Sequence, residues 1–253
     1  MASLYEQYRP GTFADVIGQD AAVRQVQRVI ARSWGGRAWF ITGPSGTGKT
    51  TIARCIASHG ADDLAIQELD AQWLTPTRLQ DIEGEMRYRM LGTKPGKAYI
   101  VNEAHAISPA TIRALLVLLE RLPEHVTFIF TTTKQGEARL FGDDDAAPLL
   151  SRCTLVNLVY DEQAQAAFAK RARDIAKAEG IDGLPLSVYE SAVAASNGNF
   201  RRVLGKIESG TFAADALPVL QREFDMIKAT KGEAYEARRV ALQRAMASAK
   251  AQS

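Results

Sequence analysis

This sequence of 253 residues has little cysteine, no long apolar run and little net charge, and each lack excludes a class of protein. Its two cysteines, Cys55 and Cys153, form no CxxC pair, which argues against a disulfide scaffold and favours reduced thiols in the cytoplasm. No signal segment opens the chain and no apolar stretch is long enough to span a bilayer, so we expect no membrane partner. With a formal charge of only +2, any binding of nucleic acid must come from locally placed basic groups.

Short apolar segments alternate with longer amphipathic stretches, which is typical of a parallel sheet covered by helices. Strands are predicted over residues 38–42, 64–69, 98–101, 126–131 and 154–158. Helices are predicted over 49–58, 75–90 and 109–121, the last with Ser108 as its N-cap and Pro109 in its first position. After Leu158 only helical patterns follow, over 161–179, 186–197, 200–209, 213–230 and 233–250.

A phosphate-binding loop stands between the first strand and the helix that follows it. Residues 43–50 match the pattern G-x-x-x-x-G-K-[ST] in full. Glycines let the backbone wrap closely, so that amide groups and the helix N-terminus face phosphates, while Lys49 reaches the β- and γ-phosphates and the Thr50 hydroxyl binds Mg²⁺. The loop predicts ATP and Mg²⁺ as cofactors, with these contacts: Gly43, Pro44, Ser45, Gly46, Thr47, Gly48, Lys49, Thr50 and Thr51.

A second polar cluster follows the predicted strand that ends near Val101. In P-loop ATPases this strand carries an aspartate that holds the magnesium ion, often followed by a glutamate that orients water. Here Asn102 and Glu103 occupy those two positions. Since Mg²⁺ prefers charged oxygen ligands, we expect Asn102 to remain a metal ligand and nucleotide binding to survive, with weaker Mg²⁺ affinity or turnover. His105 has no second ligand at useful spacing, so we expect it to pack or hydrogen bond.

Several segments, in order, resemble the ATPase subunits of DNA sliding-clamp loaders, namely the bacterial gamma/tau subunit and the small subunits of replication factor C. The most specific is Ser151-Arg152-Cys153, which is similar to the Ser-Arg-Cys motif of that family. The resemblance covers about residues 4–210, and the other segments that carry it are 8–10, 13–19, 102–108, 114–116, 119–121, 123–126, 128–133 and 198–201.

This resemblance implies an α/β fold: a P-loop AAA+ core with a parallel five-stranded sheet, a small all-α lid and a short C-terminal helical segment. We expect the nucleotide-binding core over residues 1–159, the lid over 160–210 and the C-terminal helices over 211–253. In the family a full helical collar holds the ring together. Here the short C-terminal segment is either a reduced collar or a cap on the lid, which leaves the mode of assembly open.

The resemblance also implies roles at the nucleotide. Glu103 would activate water, and Thr133, with Thr132 as second choice, would be the first sensor of the γ-phosphate. Arg152 would act as a finger on ATP bound by the neighbouring subunit, and Arg201 would reach from the lid to the γ-phosphate of its own subunit. The residues expected over the adenine are Tyr8, Arg9, Val16 and Ile17.

Partners follow from the same resemblance: other AAA+ subunits in a pentamer-like ring, a sliding clamp and primed DNA. In the family the N-terminal ends of two core helices face DNA, and the corresponding segments here are 75–78 and 108–113, with Arg78 and Arg113 as the candidate contacts. The alternative, that either arginine merely faces solvent at the start of a helix, has at least equal weight. Tyr88, Met90 and Leu91 would insert into the clamp, or else pack on the sheet.

Four departures from the family keep other functions open. Asn102 replaces an aspartate, the gamma/tau cysteine cluster is missing so that no zinc is implied, the collar is short, and the loop over 134–150 is long and contains Asp143, Asp144 and Asp145. The leading hypothesis is an ATPase subunit that couples ATP binding to the loading of a clamp onto primed DNA. The alternatives are a weakly hydrolysing switch subunit and another AAA+ DNA remodeller, such as a branch-migration motor or a helicase loader.

Overall fold

The computed structural model describes residues 2–133, 146–180, 184–228 and 233–252. These residues divide into two compact units: Pro10–Val159 forms one, and Met1–Arg9 joins Tyr160–Ser253 in the other. We call the first the core and the second the helical unit. Residues 1–9 were expected in the core, but the helix Leu4–Gln7 belongs to the helical unit and packs there against Phe200–Glu208.

The core contains a five-stranded sheet, which confirms the predicted parallel architecture. The strand order is β2-β3-β4-β1-β5, so the first strand lies inside the sheet between the fourth and the fifth. The strands are β1 Arg37–Thr42, β2 Ile66–Asp70, β3 Lys97–Asn102, β4 Val126–Thr132 and β5 Cys153–Asn157. The carboxyl ends of these parallel strands therefore share one edge, at which the polar residues that follow β1, β3 and β4 are gathered.

The second strand begins later than its apolar residues predict. Leu64 was expected in the strand, but its side chain is 93% exposed and lies in a short 3-10 turn over Asp63–Ala65. The strand begins only at Ile66. The sequence predicted an earlier start because Leu64 is apolar, and hydrophobicity alone does not show whether a residue is buried in the sheet.

Helices cover both faces of the sheet and make two apolar layers. On one face Ile52 and Ile56 pack with Trp39 and Ile41 of β1. On the other face Leu115 packs with the aromatic residues of β3 and β4, including Tyr99 and Phe128, whose rings stack 4.9 Å apart. The core helices are α2 Asp20–Ile30, α3 Lys49–Gly60, α4 Pro76–Glu85, α5 Pro109–Leu119 and α6 Ala146–Ser151, after α1 Leu4–Gln7 of the helical unit.

The amphipathic pattern predicts that helix α4 continues to Met90. In the structure the helix ends at Glu85. The side chain of Lys97 donates to the carbonyl of Glu85, and Nε2 of His125 lies 2.9 Å from the carbonyl oxygen of Met86. Because these side chains satisfy the last carbonyls, the helix does not need further turns to do so. The predicted cap of α5 is confirmed, since the side chain of Ser108 accepts from the amide of Thr111.

The helical unit contains five further helices in the part of the chain that the structure describes. They are α7 Glu162–Ala178, α8 Leu186–Ala195, α9 Phe200–Glu208, α10 Thr211–Lys228 and α11 Glu233–Gln252. Tyr189 of α8 stacks on Phe212 of α10, and Phe168 of α7 contacts Phe200 of α9, so aromatic side chains join alternate helices. Gly198 precedes α9 with φ 73°, and a Cβ there would lie 2.3 Å from the Tyr160 ring. This position therefore requires glycine.

Candidate nucleotide and metal site

The loop after β1 has the backbone that close wrapping requires. Gly43 approaches the chain after β5 so closely that a Cβ would lie 2.8 Å from Cβ of Leu158 and 2.9 Å from its carbonyl oxygen. Gly48 adopts φ 101° as the N-cap of α3, a conformation that L side chains rarely take. The pattern predicted from sequence thus has a strand before it, a helix after it, and two positions that tolerate only glycine.

Lys49 and Thr47 fasten the loop from within. The ammonium of Lys49 donates to the carbonyl oxygens of Gly43 and Pro44, at 3.1 and 2.9 Å. The hydroxyl of Thr47 also donates to Pro44, at 2.8 Å. A fixed cation therefore lies at the loop, and its charge suits a ligand that carries phosphate.

The predicted metal ligands lie together at the edge of the sheet. The Thr50 hydroxyl donates to Oδ1 of Asn102 over 3.2 Å, and the Thr131 hydroxyl donates to the same oxygen over 2.9 Å. The amide nitrogen of Asn102 donates to Oε1 of Glu68, 2.6 Å away. Hydroxyl and amide oxygens with a carboxylate behind them are donors that suit Mg²⁺, which keeps several waters and phosphate oxygens of its own.

Glu103 follows Asn102 in the left-handed region, with φ 53° and ψ 46°. This conformation is uncommon for a side chain with a Cβ and turns the chain sharply after β3. Its carboxylate lies 3.4 Å from Nδ1 of His105, which also hydrogen bonds to Oγ1 of Thr132 over 3.0 Å. The expected role of His105 in hydrogen bonding thus agrees with its contacts, and it links the predicted water-activating residue to the end of β4.

The two candidates for the first sensor differ in their surroundings. Thr132 is completely buried at the end of β4 and hydrogen bonds to His105, while Thr133 follows the strand and is partly exposed. A sensor must reach solvent or ligand, so this difference favours Thr133, the first choice from sequence. Its contact with nucleotide stays a prediction.

Arg152 lies at the start of β5, where the Ser-Arg-Cys motif leaves α6. Its Nε and Nη2 donate to one oxygen of Glu120, at 3.2 and 2.5 Å, and Nη1 donates to the carbonyl of Pro148. Glu120 is the C-cap of α5. The guanidinium is partly exposed and held in one orientation at the surface of the core. Its action on the nucleotide of a neighbour stays a prediction.

Arg201 and two of the residues expected at the adenine belong to the helical unit. Arg201 lies over the ring of Tyr5, 4.2 Å from the centroid, and donates to the Tyr5 hydroxyl over 2.9 Å. Arg9 lies over the same ring at 4.6 Å. The hydroxyl of Tyr8 donates to Glu179 over 2.7 Å, and this hydrogen bond to a carboxylate raises the pKa of Tyr8.

The other two adenine candidates, Val16 and Ile17, belong to the core, where both are half-buried. Val16 packs against the apolar layer on the α3 face of the sheet. Nearby, the buried amide of Gln19 makes a paired contact with the backbone of Val159, donating to its carbonyl and accepting from its amide. This contact fixes the start of α2 to the segment after β5.

The two arginines proposed for DNA differ in exposure: Arg78 is half-buried and Arg113 is exposed. Arg78 is bound by Glu85 over 2.9 Å and by the amide oxygen of Gln67 over 2.7 Å. Partial burial raises the pKa of Glu85, but its hydrogen bonds from Gln67 and Arg78 outweigh that effect and leave the pKa below its ordinary value. Arg113 is exposed on the first turn of α5. Arg78 therefore belongs to a polar cluster with Glu85 of its own helix and Gln67 of β2.

The three residues proposed for the clamp do not share one environment. Tyr88 is 73% exposed and Leu91 is fully exposed, whereas Met90 packs against the apolar layer of the core. All three lie in the segment between α4 and β3, at the sheet edge opposite the phosphate loop. The two exposed side chains keep the prediction of a docking role, and Met90 supports the segment from inside.

Among the described residues, no cluster of three or more metal-binding side chains is found, and no helix is long and apolar enough to cross a bilayer. The loop with Asp143, Asp144 and Asp145 lies outside the described ranges. Three residues that were not predicted contact candidate residues: Glu68 contacts Asn102, Glu120 contacts Arg152, and Tyr5 contacts Arg201. Each is joined to its partner only by folding, and no local motif could have pointed to it.

Comparison with known proteins shows similarity to ATPases of one family. The family described as "ATPase family associated with various cellular activities (AAA)" matches residues 39–155. The chain is 27% identical to DNA polymerase III subunit tau of Bacillus subtilis, over 86% of this chain and 41% of that protein. It is 29% identical to DNA polymerase III subunit gamma of Buchnera aphidicola, over 81% of this chain and 60% of that protein. The chain thus spans less than two thirds of the length of these relatives.

Solved structures support the same fold. A variant of Thermotoga maritima RuvB superimposes with a TM-score of 0.62 at 18% identity, over 94% of this chain and 72% of that chain. At this identity the likeness concerns the arrangement of helices and strands alone.

Proposed function

We propose that the chain is a clamp-loader-type ATPase subunit, starting from the match of residues 39–155 to the AAA family of ATPases. In this proposal ATP binding assembles a ring of AAA+ subunits that loads a sliding clamp onto primed DNA. The observation that carries it is the phosphate loop, with the Thr50 hydroxyl 3.2 Å from Oδ1 of Asn102. The similarity to DNA polymerase III gamma and tau subunits supports a role in replication.

The chemistry divides among the residues described above. Lys49 and the loop amides would bind the phosphates, and Thr50 and Asn102 would hold Mg²⁺, which when bound neutralises charge on the β- and γ-phosphates. Glu103 would orient water, and Thr133 would sense the γ-phosphate. Arg152, from the neighbouring subunit, and Arg201, from the same subunit, would neutralise charge that develops in the transition state.

The surfaces proposed for the two partners would lie apart in the core. Helix α5 begins at Pro109, with Arg113 as its fifth residue, at the edge of the sheet that carries the phosphate loop, and a helix N-terminus with a basic side chain suits a phosphate of the DNA backbone. Tyr88 and Leu91 lie at the opposite edge and offer apolar contact to a clamp. This separation would let one subunit bind nucleotide and clamp at once.

A second candidate is a switch subunit that binds ATP, hydrolyses it weakly and presents Arg152 to an active neighbour. The amide at Asn102, in place of a carboxylate, favours it. It differs from the first candidate in turnover and not in assembly, so the two are separated by measuring both.

Native mass measurement of the chain with ATP, primed DNA and a candidate clamp tests the proposal. We expect a complex containing several subunits and the clamp that forms only with ATP. Lys49→Ala should abolish it, because the change removes the fixed cation of the loop, while the exposed Lys170→Ala serves as control. A complex that forms equally with Lys49→Ala would contradict the proposal, and ATP-dependent assembly without turnover would favour the switch subunit.

A further inference from the structure

Asn102 occupies the position at which P-loop ATPases have a carboxylate. In the structure both the oxygen and the nitrogen of its side-chain amide have hydrogen-bond partners. Its oxygen accepts from the hydroxyls of Thr50 and Thr131. Its nitrogen donates to Glu68, 2.6 Å away. The side chain therefore has one end turned to the metal-binding threonine and the other to a carboxylate on the next strand.

Only one orientation of the Asn102 amide agrees with these neighbours. An ionised carboxylate accepts hydrogen bonds and donates none. If the amide were turned over, its oxygen would face the Glu68 oxygen at 2.6 Å, with no hydrogen between them, and its nitrogen would face the hydroxyls. Glu68 thus selects the orientation in which the oxygen of Asn102 faces Thr50.

The position of Glu68 in the sheet explains why it can do this. Strands β2 and β3 pair in parallel with Glu68 beside Ile100 and Asp70 beside Asn102. Alternate residues of a strand share a face, so Glu68 and Asn102 both lie on the α3 face, as Ile100 does. Arg54 of α3 holds the other oxygen of Glu68, with Nε and Nη2 at 2.9 and 2.7 Å.

We propose that Glu68 is a positioning residue for the magnesium–nucleotide complex, and that it acts through Asn102. The negative charge that P-loop ATPases carry at the end of β3 stands here one strand away, and the amide joins it to the site. A hydrogen bond to a charged acceptor also increases the electron density on the amide oxygen. The inference rests on the proposed binding of ATP and Mg²⁺ at the phosphate loop.

This arrangement predicts that the effect of Glu68 depends on the residue at position 102. With Asn102, loss of Glu68 frees the amide to turn and removes the charge behind it. Changes in residues that orient metal ligands weaken metal affinity by about 10- to 100-fold. With Asn102→Asp, both oxygens of the side chain are equivalent acceptors, so Glu68 has nothing to orient and places a like charge nearby.

The test measures metal affinity in four proteins: the unchanged chain of 253 residues, Glu68→Ala, Asn102→Asp and the double variant. Mn²⁺ replaces Mg²⁺ as a paramagnetic probe, and its free concentration is followed by electron paramagnetic resonance in the presence of ATPγS. Nucleotide affinity without metal is measured in parallel with a fluorescent ATP analogue and EDTA. We expect Glu68→Ala to weaken Mn²⁺ binding by about 10-fold or more beside Asn102, and to have no such effect beside Asn102→Asp.

Two further variants separate this role from a structural one. Arg54→Ala breaks the same ion pair but leaves the Asn102 contact, so it should change thermal stability much as Glu68→Ala does, without the loss of Mn²⁺ affinity. Glu68→Gln keeps an acceptor for the amide and should retain part of the Mn²⁺ affinity, and it replaces Glu68→Ala if that protein does not fold.

If loss of Glu68 weakens Mn²⁺ binding equally beside Asn102 and beside Asn102→Asp, or in neither case, the inference is overturned while nucleotide binding remains intact. Absence of nucleotide binding in the unchanged chain would instead overturn the proposed function.

Discussion

The guanidinium of Arg152 lies against the carboxylate of Glu120, with Nη2 2.5 Å and Nε 3.2 Å from Oε1. The contact joins the start of β5 to the end of α5, two elements that meet only in the folded core. A finger that acts on a neighbour must be present at the surface and must be able to leave its own partner. Since exposed ion pairs contribute little free energy, Glu120 can orient the guanidinium without trapping it.

The first prediction concerns Arg152→Ala. The variant should bind ATP like the unchanged chain, because the finger acts across an interface, yet lose assembly-stimulated hydrolysis by on the order of 10³–10⁵. ATP turnover is measured with clamp and primed DNA, with Arg121→Ala as an exposed control. Mixing with a Lys49→Ala protein should restore part of the activity, whereas loss of ATP binding by isolated Arg152→Ala would contradict action in trans.

The second prediction concerns Glu120→Gln, which weakens the competing partner of Arg152. We expect the variant to fold with little change in melting temperature and to show turnover raised by at most about 5-fold, the equivalent of the ~1 kcal/mol that an exposed pair contributes. Turnover and melting temperature are measured together. A large loss of turnover with unchanged stability would show that Glu120 positions the finger in the assembled ring as well.

The sequence allowed the order of strands and helices to be predicted because each strand of a parallel sheet is a short apolar segment bounded by turns. Errors occur where exposure contradicts hydrophobicity. Leu64 extended a predicted strand although it is exposed, and the pattern up to Met90 extended a helix that side chains of Lys97 and His125 terminate. The first correction depends on exposure, and the second depends on contacts with residues distant in sequence.

In the candidate site too, local motifs could be predicted from the sequence, whereas contacts between distant residues could not. The loop ending in Lys49 and Thr50 is local, so its residues could be chosen from sequence. Asn102 could be found too, as a departure from a pattern, but not its partner Glu68, since their pairing depends on the register of β2 against β3. Likewise, Arg78 looks like a phosphate contact in sequence, whereas folding supplies Glu85 and Gln67 as its partners.

The third prediction concerns Arg78 and Arg113, which differ in exposure: Arg113 is exposed and Arg78 is half-buried. Arg113→Ala should weaken binding of the ATP-assembled protein to primed DNA more than Arg78→Ala does, because the more exposed side chain reaches a phosphate without rearrangement of its surroundings. Binding should fall steeply with added salt in the unchanged protein, and the slope should be smaller for Arg113→Ala. Fluorescence anisotropy across a salt series checks both. A larger effect of Arg78→Ala would mean that its contacts with Glu85 and Gln67 rearrange on DNA.

The fourth prediction concerns the thiols. Burial raises the pKa of Cys55 from 9.0 to about 11, and burial raises that of Cys153 to about 12. Because the thiolate is the reactive form, the folded chain should react slowly with iodoacetamide near pH 8 and quickly in urea. Labelling followed by mass spectrometry measures this, and fast labelling of the folded chain at pH 8 would contradict the buried placement.

The same pKa shifts predict how stability changes with pH. The folded pKa of each thiol lies above the unfolded value, so the unfolded chain loses its proton first as pH rises. The contribution to stability is therefore complete below about pH 9 and is lost as pH rises toward the folded values. Urea unfolding at pH 8 and pH 10 tests this, with Cys55→Ala expected to reduce the difference.

The last prediction concerns Arg201, which lies 4.2 Å above the ring of Tyr5 and donates to its hydroxyl. A guanidinium on an aromatic face is oriented by the ring, with the hydroxyl as a second anchor. If Arg201 acts on the γ-phosphate, Arg201→Ala should lower turnover by on the order of 10²-fold, as loss of one transition-state partner does elsewhere. Its ATP affinity should change much less.

Two variants of Tyr5 separate the ring from the hydroxyl. Tyr5→Phe keeps the aromatic face and should retain most of the turnover, whereas Tyr5→Leu removes both anchors and should lower turnover part of the way toward the Arg201→Ala value. Combining Tyr5→Leu with Arg201→Ala should add little to the loss, because Tyr5 acts through the arginine. Turnover at saturating ATP in the assembled protein is the measurement. If the effects of the two changes multiply in the double variant, Tyr5 supports the helical unit by some other route, and its contact with Arg201 has no part in turnover.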